Sequence, residues 1–434
     1  MTIQAKYKLN GTLEISGDKS ISHRSLILSS IAIGETKINN LLESEDVKST
    51  IRNLKQLGVK IRKKSNRWIV NGVGTGGFQQ PNQVINSGNS GTTSRLILGL
   101  IASNPIYCTI IGDKSLSGRP MSRVTDILEK IGAKIQLTKR NYLPLTIEGT
   151  LNALPLKHVI TKPSAQIKSS IMLAALNIHG QTTVIETRPT RDHTEIMFKY
   201  LNVKFKKKKL KNGSTEIKLK GPYEISAKNI DVASDPSSAA FFIVAALITP
   251  GSNILLKNIC LNKSRIAYIK ILKKMGGNIT VKNEKKLSGE VVGSIKAKYS
   301  KLKAIEISKN IAPYLIDEYP ILAIAATQAQ GTTIMKGLAE LRVKESDRLN
   351  SIYTNLKSCG IDTKIKEDDL YITGSSDILI GGNKINSYHD HRIAMSFSIL
   401  NLICKNQLYI NNLKCISISY PNFNKDLKNI LRNG

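Results

Sequence analysis

No apolar run in this chain is long enough to cross a membrane: the longest, AAFFIVAALI, reaches about half of the ~20 residues that a spanning helix needs. The opening stretch MTIQAKYKLN has none of the apolar character of a secretory signal, so a cytoplasmic protein without a membrane partner is expected. Cysteine is scarce as well. Cys108, Cys260, Cys359, Cys404 and Cys415 show no C-x-x-C spacing and leave an odd count, which argues for reduced packing residues over a disulfide framework. Acidic residues are few beside basic ones, 32 against 64, for a net charge of +32. Such an excess admits a polyanion as partner. Aromatic residues, however, make up only 5% of the chain and leave nucleic-acid bases little to stack on. The lysines are spread from end to end and accompany abundant Ile and Asn, as an AT-rich coding sequence would produce. The run at 206–209 reads as the exposed side of a hairpin, protecting it from edge pairing. No nucleic-acid partner is expected.

What the chain does have is a unit that recurs six times. Each copy begins with an apolar, small-residue helical stretch, passes through a G-x-T-like turn into a strand, and usually ends in an amphipathic helix closed by Gly. The copies open near Arg24, Arg95, Lys168, Ala239, Pro320 and Arg392. The period of roughly 70 to 80 residues is too long for a solenoid repeat and suits a βαβ-type unit. RSLILSSIAIGETKINNL and FFIVAALITPGSNILLKNI are clear examples, whereas the second and sixth copies are more worn. Helices apolar on every side predict burial on every side. TIRNLKQLG and YIKILKKMG predict amphipathic helices with a left-handed glycine cap. FKKKKLKNGSTEIKLKG predicts a hairpin with Asn212-Gly213 as a type I′ turn. The length allows two or three domains, and six copies divide into two sets of three.

Polar segments stand at equivalent points of these copies. DKSISHR (18–24) and NSGNSGTTSR (86–95) precede the first two buried helices; SAQIKSS (164–170), IDEYP (316–320) and HDHR (389–392) open the third, fifth and sixth. GDKSLSGRPMSR (112–123), TRPTRDHTE (187–195) and LRVKESDR (341–348) follow strands. Helix N-termini offer unpaired N–H groups and the positive end of the macrodipole, so they favour anions. Taken singly, Ser20, Ser22 and Thr92 read as ordinary helix caps. Taken together, Lys19, Arg24, Arg95, Arg119, Arg191, Lys344, Arg348 and Arg392 form an excess of cations around very few acids. Burial of such charges without a counter-anion is costly, and the cluster suits a ligand carrying phosphate and carboxylate. Asp317 and Glu345 are the acids at these places, and they read either as a general base and general acid or as counter-ions. A lone H-x-H in HDHR is weak evidence for a metal. His391 reads better as an orienting hydrogen-bond group, and no metal is expected.

In this order and spacing, DKSISHR, NSGNSGTTSR, GRPM, SAQIKSS, TRPTRDHTE, IDEYP, LRVKESDRL and HDHRIAM resemble the 5-enolpyruvylshikimate-3-phosphate synthase (3-phosphoshikimate 1-carboxyvinyltransferase) family from end to end. The resemblance implies an α/β fold of two inside-out barrels, each built of three βαβαββ repeats around buried helices. Residues 17–233 would form one domain, residues 1–16 with 234–434 the other, and the chain would cross between them near 15–19 and 232–236. The active site would lie in the cleft between the domains. The activity implied is transfer of the enolpyruvyl group of phosphoenolpyruvate to the 5-hydroxyl of shikimate 3-phosphate by a cofactor-free monomer. Shikimate 3-phosphate would be held by Lys19, Ser20, Arg24, Ser164, Ala165, Gln166, Arg191, Asp317 and Lys344. Phosphoenolpyruvate would lie against Lys19, Gly91, Arg119, Gln166, Arg348 and Arg392, with Lys344 at its reacting end. Asp317 would be the base, Glu345 the acid that protonates the methylene carbon, and Lys19 a stabiliser of developing charge. The inhibitor glyphosate would compete for the phosphoenolpyruvate site beside Gly91. The chain departs from many relatives at Glu340, Thr190, Leu96 and Ile418, where Asn, an aromatic residue, Pro and a phosphoenolpyruvate-facing Lys are common. Arg191 would replace the aromatic contact.

Two other readings stand beside this one. The UDP-N-acetylglucosamine enolpyruvyl transferases share the architecture, but their catalytic loop has a cysteine shortly before RP, where GDKSLSGRPM has none, and their N-terminal segment reads KNA where this chain reads DKS. A basic nucleic-acid-binding protein would bind long polyanions with strong salt dependence, and a non-catalytic paralogue would be expected to have lost Lys19, Asp317 or Glu345.

Overall fold

The computed structural model describes residues 7–375 and 379–433, so the first six residues of the segment 1–16 lie outside the described residues. Two compact units emerge. One runs from Gly17 to Val232 and takes in Leu287–Glu290; the other takes the chain up to Ser16, Ala233–Lys286 and the remainder from Val291.

The unit from Gly17 to Val232 repeats one sheet three times. A buried helix, Lys19–Ser30, Gly91–Ala102 or Ala165–Ala175, leads into a central strand, Ala32–Asn39, Tyr107–Ile111 or Gly180–Glu186. On one side the central strand pairs antiparallel with the second arm of a hairpin, Arg67–Val73, Tyr142–Glu148 or Thr215–Gly221. On the other it pairs parallel with a short edge strand, a pairing that requires a crossover, which the helix supplies. In the second and third copies that edge strand precedes the helix; in the first it is Ile225–Ser226 and Ile230–Asp231, so the end of the unit closes onto its beginning. The helices sit inside and the sheets outside, as the all-round apolar pattern requires. Gly99 lets two of them approach: a methyl there would lie 2.3 Å from the Ser170 carbonyl oxygen.

Helix starts follow from side-chain caps. Asp18 accepts from Ile21 N at 2.8 Å, Ser90 from Thr93 N at 3.1 Å and Ser164 from Ile167 N at 3.3 Å. The cap reading of Ser20, Ser22 and Thr92 is therefore corrected. All three lie within helices, because an acceptor further upstream already satisfies the orphan N–H groups. The amphipathic helices do close on left-handed glycines, as at Gly58 and Gly276, with φ of 90° and 92°. The Asn212-Gly213 hairpin is not type I′. Only Gly213 of that pair has positive φ, 82°, and Gly213 N bonds Leu210 O while Leu210 N bonds Ser214 O, the longer loop with a glycine bulge.

The second unit repeats the scheme with losses. Tyr7–Glu14 runs parallel to Asn253–Cys260, which pairs antiparallel with Glu290–Lys298. Leu302–Lys303 and Glu306–Ile307 run parallel to Ala329–Met335, which pairs antiparallel with Asp369–Gly374. The sixth copy keeps its parallel pairs, but in place of a hairpin it ends in Leu431–Asn433, which joins Tyr7–Leu9. The second copy, worn in sequence, retains every element. Helix Pro236–Ile248 is buried at every position but Ser238, with Phe241 edge-on to Phe423 and Phe242 to Tyr420. The five cysteines are free thiols, four of them buried, and burial pushes Cys108 up to about 12.

Candidate active site

In the first unit the motif residues gather at the starts of the buried helices. Lys19 opens its helix, with Asp46 as ion-pair partner. Arg24, just over one turn on, is buried and donates from Nε to Thr194 Oγ1 at 2.8 Å, from Nη2 to Ser169 Oγ at 2.8 Å and from Nη1 to Ser20 O at 3.0 Å. One guanidinium thus links the first buried helix to the third and to helix His193–Tyr200. Ser164 caps the third helix, and Ala165 and Gln166 are its first residues, where backbone N–H groups favour an anion. Gln166 accepts from Arg95 Nη1 at 3.0 Å and donates to Thr92 Oγ1 at 3.0 Å. Arg119 donates to Asn89 Oδ1 and Ser115 Oγ, both at 2.9 Å. A methyl at Gly91 would meet Arg95 Nη1 at 2.5 Å, with Arg119 Nη1 3.6 Å away, so Gly91, Arg95, Arg119 and Gln166 form one neighbourhood. Arg191 lies half-buried between strand Gly180–Glu186 and helix His193–Tyr200.

In the second unit the centre is Arg348, 1% exposed at the start of helix Arg348–Ser358. It donates from Nε to Asp390 Oδ2 at 2.7 Å and from Nη2 to Glu345 Oε2 at 2.5 Å, and its Nη1 lies 3.5 Å from Asp317 Oδ1. Burial works against the charged form, but Asp390, Glu345 and Asp317 outweigh it and hold the guanidinium above its usual range. Arg392 donates from Nη1 to Asp317 O at 2.9 Å, with Nε 3.6 Å from Asp317 Oδ1. Lys344 is half-buried. Burial pulls its ammonium below the usual lysine value, Arg348 adds to this and Asp317 opposes it. The two acids singled out in the sequence therefore share one cation, and the structure brings Asp317, Lys344, Glu345, Arg348 and Arg392 together.

Several contributors escaped the sequence. Asp390 lies inside HDHR, a motif weighed for its histidines. It is the helix cap, accepting from Arg392 N at 2.9 Å, and also the principal partner of Arg348; a lone Asp before a buried helix was the available signal. Asp46, the partner of Lys19, stands in a helix with no motif of its own. Thr92 matters through Gln166. Ile418 packs on the apolar core of its unit, Leu96 is fully buried and Glu340 is exposed. His391 is buried at the first position of its helix.

A cation-lined set of helix starts can hold anionic groups, and carboxylates on a buried guanidinium can move protons beside them. The chain matches the EPSP synthase (3-phosphoshikimate 1-carboxyvinyltransferase) family over residues 3–427. It is similar to the 3-phosphoshikimate 1-carboxyvinyltransferases of Sphingopyxis alaskensis, 44% identical over 97% of this chain and 96% of that one, and of Petrotoga mobilis, 45% identical over 97% of each. Among solved structures it resembles EPSP synthase from Acinetobacter baumannii, with a TM-score of 0.88 and 37% identity over 100% of this chain and 98% of the other. The enolpyruvyl transferase NikO from Streptomyces tendae shares the fold, with a TM-score of 0.77 at 14% identity over 100% and 98% of the two chains.

Proposed function

The chain belongs to the EPSP synthase family, and from that premise we propose how its residues divide the work. The reaction is transfer of the enolpyruvyl group of phosphoenolpyruvate to the 5-hydroxyl of shikimate 3-phosphate, giving 5-enolpyruvylshikimate 3-phosphate and phosphate. Lys19, Ser20, Arg24, Ser164, the backbone of Ala165, Gln166 and Arg191 hold shikimate 3-phosphate, together with Asp317 and Lys344. Lys19, Gly91, Arg119, Gln166, Arg348 and Arg392 hold phosphoenolpyruvate. Asp317 takes the 5-hydroxyl proton as that oxygen bonds to C2 of phosphoenolpyruvate, and Glu345 delivers a proton to C3, which becomes a methyl group. The tetrahedral intermediate then loses a methyl proton and expels phosphate. The cations stabilise the charge that moves, in a site preorganised for it.

The observation that carries this division is the attachment of Glu345 and Asp317 to one and the same buried guanidinium, that of Arg348, which would hold an acid and a base on one support. The protein works in the cytoplasm as a monomer, without metal or organic cofactor. The test is incubation of purified protein with both substrates. Phosphate release that requires shikimate 3-phosphate supports the reading; phosphate release independent of it, or none, sinks it.

A further inference from the structure

Lys168 is fully buried within the third helix of the first unit, and its backbone N–H bonds the carbonyl of the cap Ser164 at 3.2 Å. Its ammonium lies 3.1 Å from Glu186 Oε2 and 2.8 Å from Glu195 Oε1. Glu186 ends strand Gly180–Glu186, and Glu195 stands in the first turn of helix His193–Tyr200. These are the two stems of the segment 187–192 that carries Arg191. Thr190, within that segment, donates its hydroxyl to Glu186 Oε1. Lys207, from the exposed lysine run, reaches Glu195 Oε1 at 3.4 Å, so one lysine of that run takes part in this cluster.

A buried ion cluster stabilises a fold poorly compared with apolar packing of the same volume. What it supplies here is geometry. One ammonium fixes both stems of the segment 187–192 to the helix whose first residues are Ala165 and Gln166, and Thr190 fixes the segment's interior. The neighbouring Thr194 hydroxyl also receives Arg24 Nε, so the same helical turn is tied to a second cation of the site. Resting on the substrate assignments above, we infer that Lys168 and Thr190 are positioning residues for shikimate 3-phosphate: the Lys168–Glu186–Thr190 chain holds Arg191 in register with Ser164, Ala165 and Gln166. None of the three needs to touch the substrate.

The experiment compares Thr190→Val, Thr190→Ser, Lys168→Met and Arg191→Ala for kcat, for KM of each substrate and for Tm. Thr190→Val should raise KM for shikimate 3-phosphate about threefold to tenfold, the size of one lost hydrogen bond. Its kcat, its KM for phosphoenolpyruvate and its Tm should stay near wild type, and Thr190→Ser, which keeps the hydroxyl, should restore the affinity. Lys168→Met should raise the same KM further, and adding Thr190→Val to it should change little, because both act through Glu186. If Lys168→Met fails to fold, the Thr190 pair decides alone. A wild-type KM in Thr190→Val, or an equal rise for both substrates, overturns the inference. Arg191→Ala separates the two levels: if it leaves KM for shikimate 3-phosphate unchanged, the substrate assignment itself fails, whereas a rise there without one in Thr190→Val defeats only the positioning role.

Discussion

Lys168 in the first unit and Arg348 in the second are buried alike, at 0% and 1% exposure, and each is gripped by carboxylates. They differ in where those carboxylates lead. Glu186 and Glu195 are sealed, at 2% exposure each. Asp390 is sealed too, but Asp317 and Glu345 keep 21% of their side-chain surface accessible. A carboxylate closed off by its neighbours can hold them in place but has no open side to offer a ligand. One held from behind by a buried cation, with its other side open, can serve a ligand. On the roles proposed above, the same charge pattern serves as a brace in one unit and as a proton-transfer device in the other.

The largest expected effect breaks that contrast at its open end. Glu345→Gln and Asp317→Asn should each lower kcat by about 10² or more, with substrate affinity less affected. Near-normal turnover in both would return these acids to plain counter-ions. In the sealed cluster Glu186→Gln should leave kcat close to wild type and act on shikimate 3-phosphate affinity, and steady-state kinetics on the three variants makes the comparison.

Next comes Gly91→Ala. The added methyl presses on the tip of Arg95, which Gln166, Gly91 O and Pro120 O hold, so the change should appear in binding. Glyphosate is expected to compete with phosphoenolpyruvate, most strongly once shikimate 3-phosphate is bound, and in this variant its inhibition should weaken by roughly tenfold, and phosphoenolpyruvate affinity by much less. Equal weakening of the two would show that this loop does not discriminate between them.

A smaller effect concerns pH. His23 is fully buried with Nδ1 2.7 Å from Thr50 Oγ1. Burial, reinforced by Lys19 and Arg24, holds its imidazole well below the usual value of 6.5. The unfolded chain then takes up a proton that the folded chain refuses, so this contribution to stability is full above about pH 6.5 and falls as pH drops below it. The fall is at most about 1.4 kcal/mol per pH unit. Urea midpoints at pH 7.5 and 5.5 should differ less in His23→Asn than in wild type; an equal difference would mean His23 titrates normally. The smallest expected effect is none: phosphate release should survive EDTA, since arginines and lysines already supply the charge neutralisation that a metal would bring, and a strict requirement for added divalent metal would contradict that.

The six copies, their buried helices and the motif residues at the helix mouths were all legible, because each rests on local pattern: all-round apolar stretches, capping residues, glycine stops. Local pattern also misled. Ser20 and Thr92 looked like caps because hydroxyls usually are, and Asn212-Gly213 looked like a two-residue turn because that dipeptide usually is.

The sequence by itself determined which chemical groups the protein has and at which point of each repeat they stand, since helix starts and strand ends are set by neighbours a few residues away. Only the tertiary structure decided which charge meets which. Lys168 finds Glu186 and Glu195, Lys19 finds Asp46, and Arg348 finds Asp390, which is 42 residues away along the chain. Coulomb and hydrogen-bond energies depend on separations of a few ångströms and on how much water is excluded. Those separations follow from how helices and strands pack within a copy, as for Lys19 and Lys168, and between copies, as for Arg348 and Asp390, and no local pattern encodes them.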